Sequence, residues 1–320
     1  MRRFVGIHGA CINRRVSIRR SVLQRAANRS ATSPVRHAMT QNRTMSGLAL
    51  TTERRAELTE LLNDEARLDA TFPHVADYLD TVMRLPGSGD PERDASFDLR
   101  MVHFLTGGST PSGNPYWEVV APVVSRDDEG HRAIHGQSGK ARLAYAETVL
   151  QSTYAYAIPS PETLAWVKDF AAGRTLLELG AGRGYWASQL ANTGCRVMAY
   201  DSEPPNEAVN PSFPVMSGQK AIWHPVEGLD AYATADKSNA VLFLCWPPGW
   251  GDPMASEALA AFERDGGNQL VFVGEPRGGK TGDDAFFAGL ADRWELIAED
   301  ADYVTWFRNC DVAQGWVLHR

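Results

Sequence analysis

Short apolar segments alternate with helical segments from residue 174 to the end of the chain, and this alternation constrains the fold more than any other feature. Seven segments have the length and apolar character of strands: 175–179, 196–200, 221–226, 240–246, 269–273, 295–298 and 315–319. Strands that alternate with helices in this way are joined by crossover connections, which place helices on both faces of a mostly parallel sheet. The sequence therefore predicts an α/β fold with a seven-stranded, mostly parallel sheet.

The chain before this region has the periodicity of helices. Helical segments are predicted to begin near Thr51, at Pro73, at Asp90-Pro91, near Ala141 and at Ser160-Pro161. At Asp90-Pro91 the aspartate can cap the helix, while the proline takes the first helical position. The sequence thus divides into a leader (1–46), a helical N-terminal region (47–158) and an α/β domain (159–320).

The leader has an unusual charge composition. The first 52 residues contain ten arginines and no lysine, aspartate or glutamate. An arginine-rich, serine-containing segment without acidic residues is typical of a mitochondrial or plastid transit peptide. The composition fits equally a disordered tail, or a sequence whose true start is Met39 or Met45. We expect a soluble intracellular protein, cytoplasmic or, if the leader is a transit peptide, mitochondrial.

Charge and composition argue against several classes of protein. From residue 53 onward the chain carries 22 basic and 39 acidic side chains, a net charge of −17, which argues against nucleic-acid binding through a general electrostatic field. No apolar run is long enough to cross a bilayer as a helix, so no membrane contact is expected. The four cysteines are scattered and form no Cys-x-x-Cys pair, which argues against a disulfide framework, a zinc ribbon or an iron–sulfur cluster.

His131 and His135 stand four residues apart near carboxylates, a spacing that can present two imidazoles to one metal ion on a helix. The polar run 126–131, however, contains a glycine and several charges, and it does not match the His-Glu-x-x-His pattern. We interpret this segment as a solvated loop and expect no metal site.

Two glycine-rich segments match, in part, patterns that bind phosphate-bearing nucleotides. The turn 180–184 places Tyr185 where a dinucleotide-binding turn needs glycine or alanine. The segment 274–281 matches the phosphate-loop pattern, but fewer than forty residues follow it, and Gly282-Asp283-Asp284 stands where an apolar helix should continue. An NAD-dependent oxidoreductase and a phosphate-loop nucleotidase are therefore the weaker interpretations.

The same glycine turn has a third interpretation. Glu178 opens the pattern Glu-x-Gly-x-Gly-x-Gly, and Asp201 ends the next predicted strand, seventeen residues after Gly184. Over about residues 155–320 this combination resembles the motif of class I S-adenosylmethionine-dependent methyltransferases. With Tyr185-Trp186-Ala187 and Cys245-Trp246-Pro247-Pro248, it is similar to a group of uncharacterised methyltransferase-like proteins. The resemblance implies the Rossmann-like fold of that class, in which the seventh strand lies antiparallel beside the sixth.

The resemblance also implies a set of residues that bind S-adenosylmethionine. This set is Glu178, Gly180, Ala181, Gly182, Gly184, Tyr185, Trp186, Asp201, Glu227 and Cys245. Glu178 would help to place the methionine amino group, the glycine turn would line the methionine and the ribose, and Asp201 would accept hydrogen bonds from the ribose hydroxyls. Asp201 could instead cap the turn at Pro204-Pro205. Glu227 would lie near the adenine, with Asp230 and His224-Pro225 competing for that role.

The fourth predicted strand leads into Trp246-Pro247-Pro248-Gly249, where amino-methyltransferases of this fold carry a polar residue, two prolines and an aromatic residue. The resemblance places Trp246, Pro247 and Pro248 beside the methyl acceptor. Tryptophan cannot accept a hydrogen bond, so recognition of an adenine or glutamine amide nitrogen does not follow, and the prolines fit equally a rigid strand exit. No catalytic base is identifiable, because methyl transfer from a sulfonium depends chiefly on in-line positioning and exclusion of water.

We therefore expect an enzyme that transfers a methyl group from S-adenosylmethionine to an unidentified acceptor. The alternative is a non-catalytic S-adenosylmethionine-binding or interaction protein on the same scaffold, and the residues Trp246 and Gly249 favour it. Because the helical region 47–158 is longer than cofactor binding needs, we expect it to cover the acceptor site.

Overall fold

The computed structural model describes residues 48, 50–134, 140–206 and 211–319. The leader predicted over 1–46 and His135 of the histidine pair lie outside these residues. Within the described ranges, no helix combines the length and the apolar character needed to cross a membrane. The division of the chain at residue 158 stays a prediction.

The N-terminal region is helical, as its sequence predicts. Its described helices are α1 (Thr52–Asn63), α2 (Glu65–Thr71), α3 (Pro73–Val82), α4 (Pro91–Leu105), α5 (Pro115–Val120) and α6 (Lys140–Thr153). Two predicted caps are present, because the Thr51 hydroxyl accepts a hydrogen bond from a backbone N–H of α1 and the Asp90 carboxylate accepts two from α4. The hairpin of β1 (Val124–Arg126) and β2 (Arg132–Ile134) lies between α5 and α6. The solvated loop predicted over 126–131 is thus a hairpin turn whose first residue belongs to β1.

The main sheet has seven strands, and the predicted α/β fold class is confirmed. The strands are β3 (Thr175–Leu179), β4 (Val197–Tyr200), β5 (Val226–Glu227), β6 (Ala240–Cys245), β7 (Gln269–Gly274), β8 (Trp294–Glu299) and β10 (Val312–Leu318). Their order is β5-β4-β3-β6-β7-β10-β8; the first five strands in this order pair in parallel, and β10 is antiparallel to both of its neighbours. The remaining strand, β9 (Val304–Trp306), extends the β1–β2 hairpin into a separate three-stranded sheet.

The third predicted strand is mostly wrong, because only its last residue, Val226, belongs to β5. Pro225 has no N–H with which to continue a ladder toward the N-terminus. The N–H of Trp223 instead donates to the carbonyl of Arg183 at 2.9 Å, so this segment follows the glycine turn rather than β4.

Five helices lie between the strands of the main sheet or just before it. They are α7 (Pro161–Ala171), α8 (Tyr185–Asn192), α9 (Leu229–Thr234), α10 (Met254–Arg264) and α11 (Asp284–Arg293). The sequence predicts helices over 160–172, 185–192 and 283–292, which correspond to α7, α8 and α11, but no helix is predicted at α9 or α10.

The central strands β6 and β7 are buried on both faces of the sheet, and the side chains of β6 alternate between two cores. In β6, Val241 and Phe243 join one apolar cluster, whereas Leu242 and Leu244 join the other. The first cluster includes side chains of α1 to α6, and the second is formed with α9, α10 and α11. The helical region therefore packs on one face of the sheet and shares its core, which brings α6 to the carboxyl ends of the parallel strands.

Candidate functional site

A cavity of about 1450 Å³ lies at the carboxyl ends of β3, β4 and β6. Seven residues of the predicted cofactor-binding set line it: Glu178, Gly180, Ala181, Tyr185, Trp186, Asp201 and Cys245. The residues predicted for the acceptor side, Trp246, Pro247 and Pro248, line it too. Gly182, Gly184 and Glu227 do not belong to its lining.

The glycine turn is held against the end of β4. Gly180, Gly182 and Gly184 have φ values of 81°, 55° and 75°, in the left-handed region that side chains with a Cβ disfavour. The carbonyl of Tyr200 accepts hydrogen bonds from the N–H groups of Gly180, at 2.9 Å, and of Ala181, at 3.0 Å. Because Asp201 follows Tyr200 directly, these bonds bring its carboxylate beside the turn.

Gly182 and Gly184 are absent from the cavity lining because other residues pack closely against them. A Cβ atom added to Gly184 would lie 2.8 Å from the carbonyl oxygen of His224, and one added to Gly182 would lie 2.8 Å from the ring of Phe213. Phe213 itself lines the cavity. The two glycines thus permit close packing of the turn, and Gly180 and Ala181 form the part that faces the cavity.

Asp201 bonds to the glycine turn and to the turn that follows β4. Its Oδ2 accepts a hydrogen bond from the N–H of Gly182 at 2.8 Å, and its Oδ1 accepts one from the N–H of Glu203 at 2.9 Å. The second bond is the local cap that the sequence analysis gave as an alternative role. Each carboxylate oxygen retains a further lone pair, so this cap is compatible with hydrogen bonds from two ligand hydroxyls.

Glu178 is a buried carboxyl group with one unsatisfied oxygen. The residue is 3% exposed, and its Oε2 has no hydrogen-bond partner among the described residues. Burial raises the pKa of Glu178 to about 8, and the charge of Asp201 adds to the effect. The group is therefore mostly protonated at neutral pH, and an unpaired oxygen at a cavity wall fits a ligand that brings a donor or a positive charge.

Glu227 does not belong to the cavity lining, and its role beside the adenine stays a prediction. Its side chain is exposed, and its contribution to the site is its backbone carbonyl, which accepts a hydrogen bond from the N–H of Asp201 at 3.0 Å. Leu229 and Tyr232, from the start and the middle of α9, line the cavity instead. Leu229 and the ring of Tyr232 offer apolar surface at this edge of the cavity.

Trp246 is rigidly held at the end of β6. Its backbone has a left-handed φ of 51°, and its indole N–H donates to Oδ2 of Asp311 at 3.1 Å. Its ring stacks on that of Tyr156, with centroids 5.6 Å apart and planes 14° from parallel. Because the indole donor is already used by Asp311, Trp246 offers an acceptor molecule an aromatic surface rather than a hydrogen bond.

Close packing explains why position 249 is a glycine. A Cβ atom there would lie 2.4 Å from the carbonyl oxygen of Lys280, so the aromatic residue found at this position in amino-methyltransferases does not fit. Pro248 pairs with Thr281 in an isolated antiparallel bridge, and the N–H of Gly282 donates to the Pro247 carbonyl at 3.1 Å. The Pro247-Pro248 turn is therefore fastened to the segment that follows β7.

That segment, the match to the phosphate-loop pattern, has a different structure. The carboxylate of Glu275 accepts the N–H of Lys280 at 2.7 Å, where a phosphate loop would direct its backbone N–H groups to a phosphate. The Lys280 amino group donates to Oδ1 of Asn309 at 2.7 Å. A helix does not continue from the Lys-Thr pair, because α11 begins at Asp284. These contacts agree with the sequence-based argument against a phosphate loop.

Several cavity residues were missed by sequence analysis. The helical region contributes Glu147, Gln151 and Ala155, and the C-terminal part contributes Lys280, Arg308 and Asn309. They come from segments far apart in the chain, and no local motif connects them. That the helical region covers the acceptor site stays a prediction.

The turn between β1 and β2 brings together Asp127, Glu129 and His131, whose side-chain ligand atoms lie within 4.8 Å of one another. Glu129 and His131 are exposed, and the half-exposed Asp127 is engaged in the turn, because its carboxylate accepts the N–H groups of Glu129 and His131. Nothing else at this turn points to a bound ion, and His135 lies outside the described residues.

Tyr185 fastens the helix after the glycine turn to the helical region. Its hydroxyl donates to Oδ1 of Asn114 at 2.9 Å and accepts the N–H of Tyr116 at 3.1 Å. The Asn114 amide in turn donates to the carbonyl of Pro159 at 2.7 Å. This buried network explains why a large residue occupies the position that a dinucleotide-binding turn gives to a small one.

We expect Tyr185→Phe to lower the free energy of unfolding by about 1–3 kcal/mol, because it leaves the buried N–H of Tyr116 without a partner and removes one of the two hydrogen bonds to Oδ1 of Asn114. Tyr200→Phe is the matched control, since Tyr200 is equally buried and its hydroxyl contacts the sulfur of Met198 at 3.7 Å. Urea unfolding of both variants measures the difference. Equal losses in the two variants would contradict the assignment of the network.

No protein-family model matches the sequence, and no curated protein matches it.

The order of the strands and the antiparallel position of β10 between β7 and β8 identify the fold. The sheet is that of the class I methyltransferase fold. The glycine turn and Asp201 then occupy the ends of its first two strands, β3 and β4.

Comparison with solved structures finds, among others, methyltransferases of low sequence identity. The magnesium protoporphyrin IX methyltransferase (ChlM) from Synechocystis PCC 6803, with bound SAM, is 14% identical, with 56% of this chain and 82% of that chain covered and a TM-score of 0.30. The precorrin-6y C5,15-methyltransferase from Geobacter metallireducens GS-15 is 15% identical over 52% and 93%, with a TM-score of 0.31. The O-methyltransferase NcsB1 from neocarzinostatin biosynthesis is 15% identical over 85% and 100%, with a TM-score of 0.25.

Proposed function

We propose that this protein is an enzyme that transfers a methyl group from S-adenosylmethionine to an acceptor bound in the same cavity. The observation that carries the proposal is the meeting of three features at one cavity: the unsatisfied carboxyl group of Glu178, the turn at Gly180 and Ala181, and the carboxylate of Asp201. S-adenosylmethionine supplies an electrophilic methyl group on a sulfonium. The acidic lining around Glu178 and Asp201 suits that cationic molecule.

Each of these residues has a role that its surroundings support. Oε2 of Glu178 can pair with an ammonium group, and Glu178 then releases its proton to solvent because a cation favours the carboxylate. The small residues Gly180 and Ala181 allow close approach of a ligand to the backbone. Asp201 can accept charge-assisted hydrogen bonds from two neighbouring hydroxyls with its remaining lone pairs. Leu229 and Tyr232 supply apolar contact for a planar base.

The acceptor side of the cavity can position the acceptor and exclude water. Trp246 is fixed by Asp311 and Tyr156, and Pro247 is fixed by the N–H of Gly282. Such a rigid wall can hold an acceptor atom in line with a methyl group and exclude water, which is the main requirement of this chemistry.

Calorimetry tests the cofactor. We expect S-adenosylmethionine and its product S-adenosylhomocysteine to bind, and we expect Asp201→Ala to weaken the binding by about 1–3 kcal/mol through the lost charge-assisted bonds. Glu295→Ala is the control, because Glu295 is an exposed carboxylate of β8 outside the cavity lining. If neither ligand released heat while NADH or ATP bound, the proposal would be abandoned.

A screen with labelled donor tests catalysis. A methyltransferase transfers label to a compound in a pool of small molecules, protein extract or RNA, whereas a non-catalytic scaffold transfers it to none. In the sequence, Trp246 and Gly249 favoured a non-catalytic scaffold. In the structure, the hydrogen bond to Asp311 explains Trp246, and the close Lys280 carbonyl explains Gly249. They therefore give no separate support to a loss of activity.

A further inference from the structure

The cavity contains a second charged cluster, which the binding of S-adenosylmethionine does not use. We call it the cation cluster, and it consists of Glu147, Glu275, Lys280, Arg308 and Asn309. Glu147 belongs to α6, Glu275 and Lys280 follow β7, and Arg308 and Asn309 connect β9 to β10. Three segments that are distant in sequence therefore meet at one wall of the cavity.

Hydrogen bonds connect the cluster into one unit. Arg308 Nη2 donates to Oε2 of Glu147 at 3.0 Å, and the Asn309 amide donates to Oε1 of Glu147 at 3.2 Å. The Lys280 amino group donates to Oδ1 of Asn309 at 2.7 Å and lies 3.2 Å from Oε1 of Glu275. These bonds hold the two cationic groups on one wall.

The cationic side chains of the cluster line the cavity and are more exposed than their carboxylate partners, of which Glu147 also lines the cavity. The side chains of Glu147 and Glu275 are 4% and 7% exposed, whereas those of Arg308 and Lys280 are 52% and 42% exposed. Among the described residues that line the cavity, Lys280 and Arg308 are the two cationic side chains. A ligand at this wall therefore meets positive N–H donors first.

The rest of the wall beside the cluster is aromatic. The Lys280 amino group lies 5.9 Å from the centroid of the Trp246 ring, and Trp246 stacks on Tyr156. Tyr156 is 38% exposed and also contacts Phe213 edge to face, with centroids 5.7 Å apart. The wall thus combines flat apolar surface with two cationic groups, which is complementary to a ring that carries an anionic substituent.

We propose that the methyl acceptor is an aromatic carboxylate, held at its carboxylate by Arg308 and Lys280 and at its ring by Tyr156 and Trp246. The inference rests on the proposed methyl transfer. A guanidinium matches the geometry of a carboxylate, and the ammonium of Lys280 adds a second donor. A carboxylate is favoured over a phosphate because Glu203, Asp252 and Glu257 also line the cavity and repel a dianion more strongly than a monoanion.

Binding of three probes with the same ring system tests the proposal. Calorimetry with 2-naphthoate, the neutral 2-naphthamide and 2-naphthyl phosphate is done on the full chain, alone and with saturating S-adenosylhomocysteine. We expect 2-naphthoate to bind about tenfold more tightly than 2-naphthamide, through its charge-assisted bonds. We expect 2-naphthyl phosphate to bind more weakly than 2-naphthoate. This comparison uses the wild-type protein and depends on no variant.

Variants of the cation cluster then test whether it causes the preference for 2-naphthoate over 2-naphthamide. Arg308→Gln and Lys280→Gln are each expected to weaken 2-naphthoate about tenfold and to leave 2-naphthamide unchanged. Arg84→Gln is the control, because the Arg84 side chain is 75% exposed on a different surface and lies outside the cavity lining. Unchanged binding of S-adenosylhomocysteine shows that each variant is folded.

The outcomes separate this inference from the proposed function. If S-adenosylhomocysteine binds and 2-naphthoate shows no advantage over 2-naphthamide, or does not bind, the acceptor proposal is overturned and methyl transfer stands. Tighter binding of the phosphate, or a preference that persists in both variants, also overturns it. If the carboxylate preference is present but S-adenosylhomocysteine does not bind, the anion site stands and the proposed methyl transfer fails.

Discussion

At pH 8, Glu178→Gln is expected to be more stable than the wild-type protein by on the order of 5 kcal/mol, whereas near pH 4 the two should be equally stable. Burial raises the pKa of Glu178 from 4.5 to about 8 in the folded protein. Glutamine has the size of the protonated glutamic acid and does not ionise. The variant therefore removes the cost of keeping this carboxyl group neutral.

The direction of the effect follows from where the proton is bound. Below pH 4.5 the carboxyl group is protonated in both the folded and the unfolded protein. Between pH 4.5 and about 8 the unfolded chain loses the proton and the folded protein keeps it, so the wild-type free energy of unfolding falls with rising pH. The other titrating groups are common to both proteins and cancel in the difference.

Chemical unfolding at several pH values from 4 to 9 measures this difference. Glu295→Gln is the matched control, because Glu295 is an exposed carboxylate on β8, and its profile should follow that of the wild-type protein. Parallel profiles for wild type and Glu178→Gln would show that Glu178 is ionised in the folded protein, and its assignment as a buried neutral carboxyl group would then be wrong.

Gly184→Ala is expected to lower the free energy of unfolding by about 3 kcal/mol, from two causes. At the left-handed φ of this position, a residue with a Cβ lowers the free energy of unfolding by about 1–2 kcal/mol, and overpacking lowers it by about 1–3 kcal/mol more. The added Cβ would lie 2.8 Å from the carbonyl oxygen and 3.1 Å from the backbone nitrogen of His224, so backbone must shift. Urea unfolding measures the loss.

Gly173→Ala separates the two causes. Gly173 has nearly the same φ, +79° against +75°, but a Cβ added to it meets no atom within 4 Å. We expect this control to lose only the backbone part, about 1–2 kcal/mol. The difference between the two variants is the cost of contact between the glycine turn and the segment before β5. If both variants lost the same amount, that contact would not be tight.

The main sheet was largely predictable because its strands carry their own signal. Runs such as Val241 to Leu244 are apolar at every position, since alternate side chains enter two separate cores. Helix α10 carried a signal that the sequence analysis passed over, because Ala255, Leu259 and Phe262 recur at helical spacing and are buried. By contrast, β1, β2 and β9 have three residues each, which is too short for any periodicity to identify.

The two ends of the cavity also differ in how far the sequence predicts them. Glu178 and the glycine turn are adjacent in sequence, and Asp201 ends the neighbouring strand, so one motif predicts that they meet. Glu147 and Arg308 are 161 residues apart, and their contact requires α6 to pack beside the β9–β10 connection. Lys280 belonged to a recognisable pattern, but that pattern indicated a phosphate loop, which the Glu275 carboxylate prevents from forming.

The sequence by itself determined the alternation of strands and helices, the left-handed glycine turn after β3, and the carboxylate at the end of β4. These features depend on backbone conformation and on periodicity over a few residues, which neighbouring side chains specify. Only the tertiary structure decided that Glu178 is kept neutral and that the Trp246 indole N–H donates its hydrogen bond to Asp311. It also decided that Lys280 and Arg308 face the cavity. Burial and pairing arise from contacts between distant segments, and no local pattern encodes them.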